Sequence, residues 1–190
     1  YVQYDGIITE DKMQFVPLRE AAGILLALPD AQSRCRVSND LLLLKAAAET
    51  ERFGRVGLCA YQDILNPEEA TQFAAITFML EDGTAFLAFR GTDSTLVGWK
   101  EDFNMTFQES IPAQRLAKEY VQRFASVTKA PLRLGGHSKG GNLAVYAGAK
   151  CGESIQDRIL DVYNHDGPGF TQAMMTDPGY LRIVPRVKTL

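Results

Sequence analysis

Apolar residues recur at two different periods along this chain, and the change of period divides it. Behind Pro17, the residues Leu18, Ala21, Ala22, Leu25 and Leu26 share one helical face. "SNDLLLLKAAAET" follows as a second helical run with Ser38 as its N-cap. Residues 1 to about 55 therefore read as a helical segment. From Val56 the pattern turns to strands. "TQFAAITFMLEDGTAFLAFRG" is two β-rich runs joined at Asp82-Gly83, a hairpin signal. "DSTLVGWKEDFNM" reads as a short helix or an ordered loop, and Leu116, Ala117, Tyr120, Val121 and Phe124 then fall at helical spacing behind Pro112. Beyond them come a strand at "PLRLGG", a helix at "KGGNLAVYAGAK", a strand at "RILDVYNHDG", a short helix at "GFTQAMM" and the start of a strand at "RVKTL". This alternation predicts an α/β fold with a mostly parallel sheet and helices on both faces. One domain of residues 1–190 is expected, with a helical N-terminal part and a sheet core from about residue 56.

Bulk properties narrow the function classes. A chain of 190 residues, 46% hydrophobic and 23% charged, is long enough for one sizeable core. Its net charge is −3, and without a basic run or stripe a nucleic-acid partner has no electrostatic footprint. The three cysteines, Cys35, Cys59 and Cys151, are widely spaced and include no C-x-x-C pair. That spacing argues against a disulfide framework and against a zinc site, and is read as reduced thiols in a cytoplasmic protein. The longest apolar runs are too short to span a bilayer. The first residue is Tyr1, without a Met or a signal-peptide pattern, and the last strand has only begun at Leu190. The chain is therefore expected to be a piece of a longer protein, an incomplete copy of its fold.

The chemistry centres on "LRLGGHSKGGNLAVYAGAK". Gly136-His137-Ser138-Lys139-Gly140 fits G-x-S-x-G and stands where that motif must stand, after a strand and opening a helix. A serine at the apex of so sharp a turn takes strained backbone angles, and its neighbours must lack side chains to avoid clashes. The hydroxyl is then exposed near a helix N-terminus, where N–H groups can receive an oxyanion. A phosphate cradle of the G-x-x-x-x-G-K-[ST] type is excluded by residue order, because Lys139 follows the serine. A dinucleotide fingerprint is excluded by spacing. A second segment fits the same chemistry. "TAFLAFRGTD" ends an apolar strand at Arg90-Gly91-Thr92, where hydrolases of this architecture place their other oxyanion donor; Gly91 permits close backbone approach, and Thr92 offers an N–H and a hydroxyl.

Together, "FRGTD…W…D" and "GHSKGG" resemble the class 3 lipases. "AFRGTDSTLVGWKEDFNMTF", "GGHSKGGNLAVYA" and "VYNHDGPGF" are closer still to an uncharacterised bacterial α/β-hydrolase-like family, a domain-of-unknown-function family, and this resemblance covers most of the chain. It implies Ser138 as nucleophile and the Lys139 and Thr92 N–H groups as oxyanion hole. It places residues 93–104 where lipases carry a lid, so that Asp93, Trp99 and Asp102 are lid or site-edge candidates. It implies a small-molecule or lipid ester as substrate, with no metal and no organic cofactor; oligomeric state and membrane contact stay open.

A serine nucleophile needs a base and an acid that orients it. The chain holds two histidines. His137 adjoins the nucleophile and is expected to pack beneath the turn; His165, in "YNHDGPGF", is expected at the site edge. Hydrolase order is Ser, acid, His, which makes Asp166 the candidate acid and puts the base later, beyond Leu190. Asp177 in "TDPG" reads as a turn residue first and an acid second. Lys139 is read as a solvated lysine, because adjacent side chains at a helix start diverge by about 100° and it cannot serve as base to Ser138. By this reading residues 1–190 are inactive or weakly active alone, and a hydrolase-fold binding protein is the alternative to an enzyme.

Overall fold

The structure is a computed structural model and describes residues 2–11, 14–37, 39–92 and 110–190. Seven strands form one sheet in chain order: β1 (Val16–Pro17), β2 (Gly57–Asn66), β3 (Thr71–Met79), β4 (Ala85–Phe89), β5 (Leu132–His137), β6 (Ile159–His165) and β7 (Val187–Thr189). Pairings are antiparallel from β1 to β4 and parallel from β4 to β7. The fold class is α/β as expected. The sheet core begins near residue 56 as expected, and β2 is a strand there that the sequence pattern does not single out ahead of the β3–β4 hairpin. That hairpin closes through Leu80 and Thr84, with Gly83 at φ 78°.

The helices are α1 (Leu18–Leu26), α2 (Asn39–Glu49), the single turn α3 (Glu51–Gly54), α4 (Pro112–Val127), α5 (Lys139–Lys150), the turns α6 (Glu153–Gln156) and α7 (Gln172–Met175), and α8 (Pro178–Ile183). Strand periodicity of two divides the sheet into two faces, and the register makes the division explicit. On one face Phe73, Leu87, Leu132, Leu134 and Val162 meet Tyr120, Val121 and Phe124 of α4 and Leu143 and Ala147 of α5 in the main core. On the other face Leu58 and Tyr61, with Ile76 and Phe78 at its edge, meet Ala21, Ala22 and Leu25 of α1 and Leu44 and Ala48 of α2. Helices therefore lie on both faces. The apolar stripe of α1 is narrower than the spacing suggests, since Leu26 is exposed, and Leu42 and Leu43 of α2 are exposed as well. Ser38, read as the N-cap of α2, lies outside the described residues.

On that second face the strands from β4 to β7 present polar and stacked groups. Phe86 stacks on Tyr163 at 5.9 Å, and Asp161 is ion-paired with Lys188 at 2.6 Å and Arg133 at 3.5 Å. The Lys188 ammonium hydrogen-bonded to Asp161 holds that carboxyl below the usual aspartate value.

Asp177 is a helix cap. Its Oδ1 accepts from Gly179 N at 2.9 Å and Tyr180 N at 3.2 Å at the start of α8, and Lys150 Nζ donates to Oδ2 at 2.6 Å. The Lys150 hydrogen bond, then the two backbone donors and the lysine charge, lower its pKa from 3.8. A carboxyl depressed in the folded state contributes stability above its unfolded pKa and loses it as pH falls through the folded value. Between pH 7 and pH 3, wild type is therefore expected to lose more stability than Asp177→Asn, whose amide oxygen still caps but does not titrate. Urea denaturation at the two pH values measures this. Identical losses in both proteins would show that the cap is electrostatically idle.

Candidate active site

Three consecutive parallel strands, β4, β5 and β6, end side by side, and open α/β sheets bind ligands beyond such carboxyl ends. Arg90-Gly91-Thr92 leaves β4, Ser138 leaves β5 and Asp166 leaves β6. Ser138 stands between β5 and α5 with φ 55° and ψ −129°, a conformation that L side chains rarely adopt. Its N–H donates to His165 O at 2.8 Å, and its carbonyl accepts from Gly141 N at 2.9 Å, so strand β6 and the first turn of α5 hold the strain from both sides. Its side chain is half-buried, and among the described residues Oγ has no hydrogen-bond partner. A non-glycine residue forced into this region, with an uncommitted hydroxyl at a strand-to-helix apex, is what a nucleophile turn requires.

The glycines around it are spacing devices. A Cβ on Gly140 would lie 2.2 Å from Phe89 O, and one on Gly136 would lie 2.4 Å from the Gly140 carbonyl carbon and 2.5 Å from Phe89 O. The first turn of α5 therefore rests directly on the last peptides of β4. The same closeness brings Gly91 against the serine. A Cβ there would meet His137 O at 2.7 Å and Ser138 Cβ at 3.6 Å. Thr92 follows Gly91, and its carbonyl accepts from Arg36 Nη1 at 3.2 Å, a contact that joins the N-terminal segment to the end of β4. The Lys139 N–H belongs to the first turn of α5, where a helix supplies no acceptor of its own.

Lys139 corrects the sequence reading. Its side chain is 1% exposed, and Nζ donates to Gln72 O and to Gln72 Oε1, each at 2.7 Å. Burying an ammonium is costly unless oxygen acceptors replace its water. The start of β3 supplies them here because that strand runs antiparallel to β4 and delivers its first residues to the same end of the sheet. His137 is the second correction. It is exposed instead of packed beneath the turn, because it lies on the sheet face that the N-terminal helices leave open at this strand. His165 lies on that face too, its ring parallel to that of Tyr163 (8°, 6.3 Å), and what it gives Ser138 is a backbone carbonyl. Asp166 is exposed at the end of β6 with φ 52°, its N–H donating to Leu190 O at 3.0 Å. Asp93, Trp99 and Asp102 lie outside the described residues.

An amide network not foreseen from the sequence fixes the surroundings. Asn142 on α5 is buried; its Oδ1 accepts from Gln114 Nε2 at 2.8 Å and its Nδ2 donates to Pro168 O at 2.9 Å. Gln114 Oε1 in turn accepts from Ile111 N at 3.1 Å, ahead of α4. One side chain thus ties α5 to the start of α4 and to the loop after Asp166. The signal that could have exposed it is an amide on the otherwise apolar inner stripe of a helix, since buried polar groups are almost always hydrogen-bonded.

Cys59 and Cys151 are buried free thiols, each pushed up to about 12 by burial, and Cys35 is a partly exposed free thiol. Among the described residues no group of three or more His, Cys, Asp and Glu side chains could hold a metal ion, and no helix is long and apolar enough to cross a membrane.

Comparison with known proteins adds a family assignment. The family model described as Mbeg1-like matches residues 47–190. No curated protein matches the chain. Among solved structures the chain is similar to a fungal lipase, determined as a lipase–inhibitor complex and presented as a model for interfacial activation. The identity is 14% and the TM-score 0.42, and the match covers 81% of this chain and 63% of the lipase. The chain thus spans less than two thirds of that lipase's length.

Proposed function

The chain belongs to the Mbeg1-like family, and on that premise we propose that it carries the nucleophile half of a serine hydrolase acting on neutral or lipid esters. The observation that carries this reading is the Ser138 backbone, held at φ 55° between β5 and α5 with an uncommitted hydroxyl. In the proposed reaction Ser138 Oγ attacks the ester carbonyl carbon while its proton passes to a histidine base. The Lys139 and Thr92 N–H groups hold the oxyanion of the tetrahedral intermediate. Collapse expels the alcohol, which takes the proton from the histidine, and water then releases the acid from the acyl-serine by the reverse proton path. Such chemistry takes no metal or organic cofactor. The stacked ring of His165 and the exposed position of His137 support a base from outside residues 1–190, and Asp166, which follows the residue whose carbonyl accepts from the Ser138 N–H, is the candidate acid.

The test is covalent labelling of the full-length protein with a fluorophosphonate, read by mass spectrometry. An adduct on Ser138 is expected, and none in Ser138→Gly. The same glycine variant should be more stable than wild type by about 1–2 kcal/mol, because it releases the strain of a non-glycine residue at positive φ. A folded full-length protein that takes no label, yet gains stability on Ser138→Gly, would turn the reading to a ligand-binding protein that keeps the turn without the chemistry.

A further inference from the structure

On the face of the sheet shared with α1 and α2, a cavity of about 280 Å³ lies over β3 and β4. Its floor exists because the residues there are small. Ala74 and Ala88 project toward it, Ile76 pairs in register with Ala88, and Gly135 follows Ala88 on the next strand. Tyr61 and Phe78 wall it. Tyr61 is aimed there by a bulge in β2 between Cys59 and Gln62, where Ala60 takes φ 56° and the segment before α1 pairs in through Tyr61 N to Thr9 O at 3.1 Å. Bulges of this kind re-aim side chains. The rim nearest the strand ends is Arg90, and its guanidinium is held by both oxygens of Asp63, at 2.6 and 2.9 Å, so the rim offers no uncompensated charge.

The cavity reaches the end of β4, the strand that leads to the serine turn. Arg90 lines it, and Gly91, the next residue, packs on Ser138. Its volume is just under the roughly 300 Å³ at which pockets begin to hold drug-sized molecules, so it takes one chain and not a whole triacylglycerol.

We propose that this cavity binds the acyl chain of a neutral, medium-length aliphatic ester, with the carbonyl end directed toward Ser138. The direction of the carbonyl rests on the hydrolase reading above; the binding of the chain does not.

The experiment separates the two. The full-length Ser138→Ala protein, unable to turn over, is titrated with methyl octanoate while the methyl resonances of Ala74 and Ala88 are followed. Saturable shifts at both are expected, and Ala88→Leu, which fills the floor, should weaken binding by about tenfold or more, the discrimination that a methylene-sized change makes in an apolar pocket. In protein with Ser138 intact, the ratio of kcat/KM for 4-nitrophenyl octanoate over 4-nitrophenyl acetate should fall by a similar factor in Ala88→Leu and rise in Ile76→Ala, which removes atoms and introduces no clash. Absence of saturable shifts overturns the proposal, and so does an octanoate-to-acetate ratio that neither variant moves. Binding with no turnover of either ester would instead sink the hydrolase reading and leave the cavity standing.

Discussion

Gly140→Ala is expected to destabilise the protein by more than about 3 kcal/mol and to abolish fluorophosphonate labelling of Ser138. The added methyl would lie 2.2 Å from Phe89 O, 2.9 Å from Phe89 C and 3.0 Å from Arg90 C, all backbone atoms. A flexible side chain could swing away from such a contact. A peptide in the middle of a sheet cannot, because Phe89 is paired with Ala75 on one side and Gly136 on the other. Relief therefore requires α5 to lift from β4. Overpacking of ordinary cores costs about 1–3 kcal/mol, and this contact should exceed that range because both partners are main chain. At about 2–4 °C per kcal/mol for a domain of this size, the melting temperature should drop by roughly 6–12 °C or more. Lifting α5 also separates the Lys139 N–H from Thr92, so labelling should fail even in protein that stays folded at low temperature. A Gly140→Ala protein with wild-type melting and labelling would refute the packing of helix on strand described here. Gly23, with nothing within 4 Å of a built Cβ, is the control position: Gly23→Ala should be neutral or mildly stabilising.

Lys139→Met is expected to cost about 2–6 kcal/mol, the sum for two buried acceptors left without their donor. Met keeps most of the aliphatic stem, so the loss isolates the ammonium. What remains is a pair of buried acceptors, Gln72 O and Gln72 Oε1, whose donor at 2.7 Å has gone. Unsatisfied buried acceptors cost about 1–3 kcal/mol each. Lys139→Arg should restore little, because a planar fork does not fit where a compact ammonium sits fully enclosed. Thermal denaturation followed by circular dichroism measures both. A Lys139→Met protein within about 1 kcal/mol of wild type would mean that the lysine is not engaged as the structure places it. The two variants touch opposite sides of the Ser138 turn: Gly140 sets how closely α5 approaches β4, and Lys139 anchors the same turn to the beginning of β3.

Much of this molecule was legible because its signals are local. Alternation in "TQFAAITFM" and the Asp82-Gly83 turn specify a hairpin wherever the chain goes, and helical spacing behind Pro112 specifies α4. The G-x-S-x-G frame, between an apolar run and a helix, is a statement about backbone angles over five residues, and those angles are found at Ser138. The length of β2 was less visible, since "GLCAYQDILN" breaks its alternation at the Ala60 bulge and both faces of the strand are largely buried.

The functional surroundings depend on residues brought from afar, and here local signals fail for a physical reason. A lysine in sequence reads as solvated; the antiparallel return of β3 delivers Gln72 from 67 positions away as a source of oxygen acceptors for the buried ammonium of Lys139. His137 was read as packed, and its exposure follows from which parts of the sheet the N-terminal helices cover. Asn142, Gln114 and Pro168 are three unremarkable residues until α4, α5 and the loop after β6 meet. By itself, then, the sequence determined the class of fold, the order of its elements and the position of a strained serine, because periodicity and turn chemistry act over a few residues. Tertiary structure alone decided what supports that serine, which faces are covered and where a cavity forms over β3 and β4, because burial and charge compensation are properties of groups that the chain brings together only by folding.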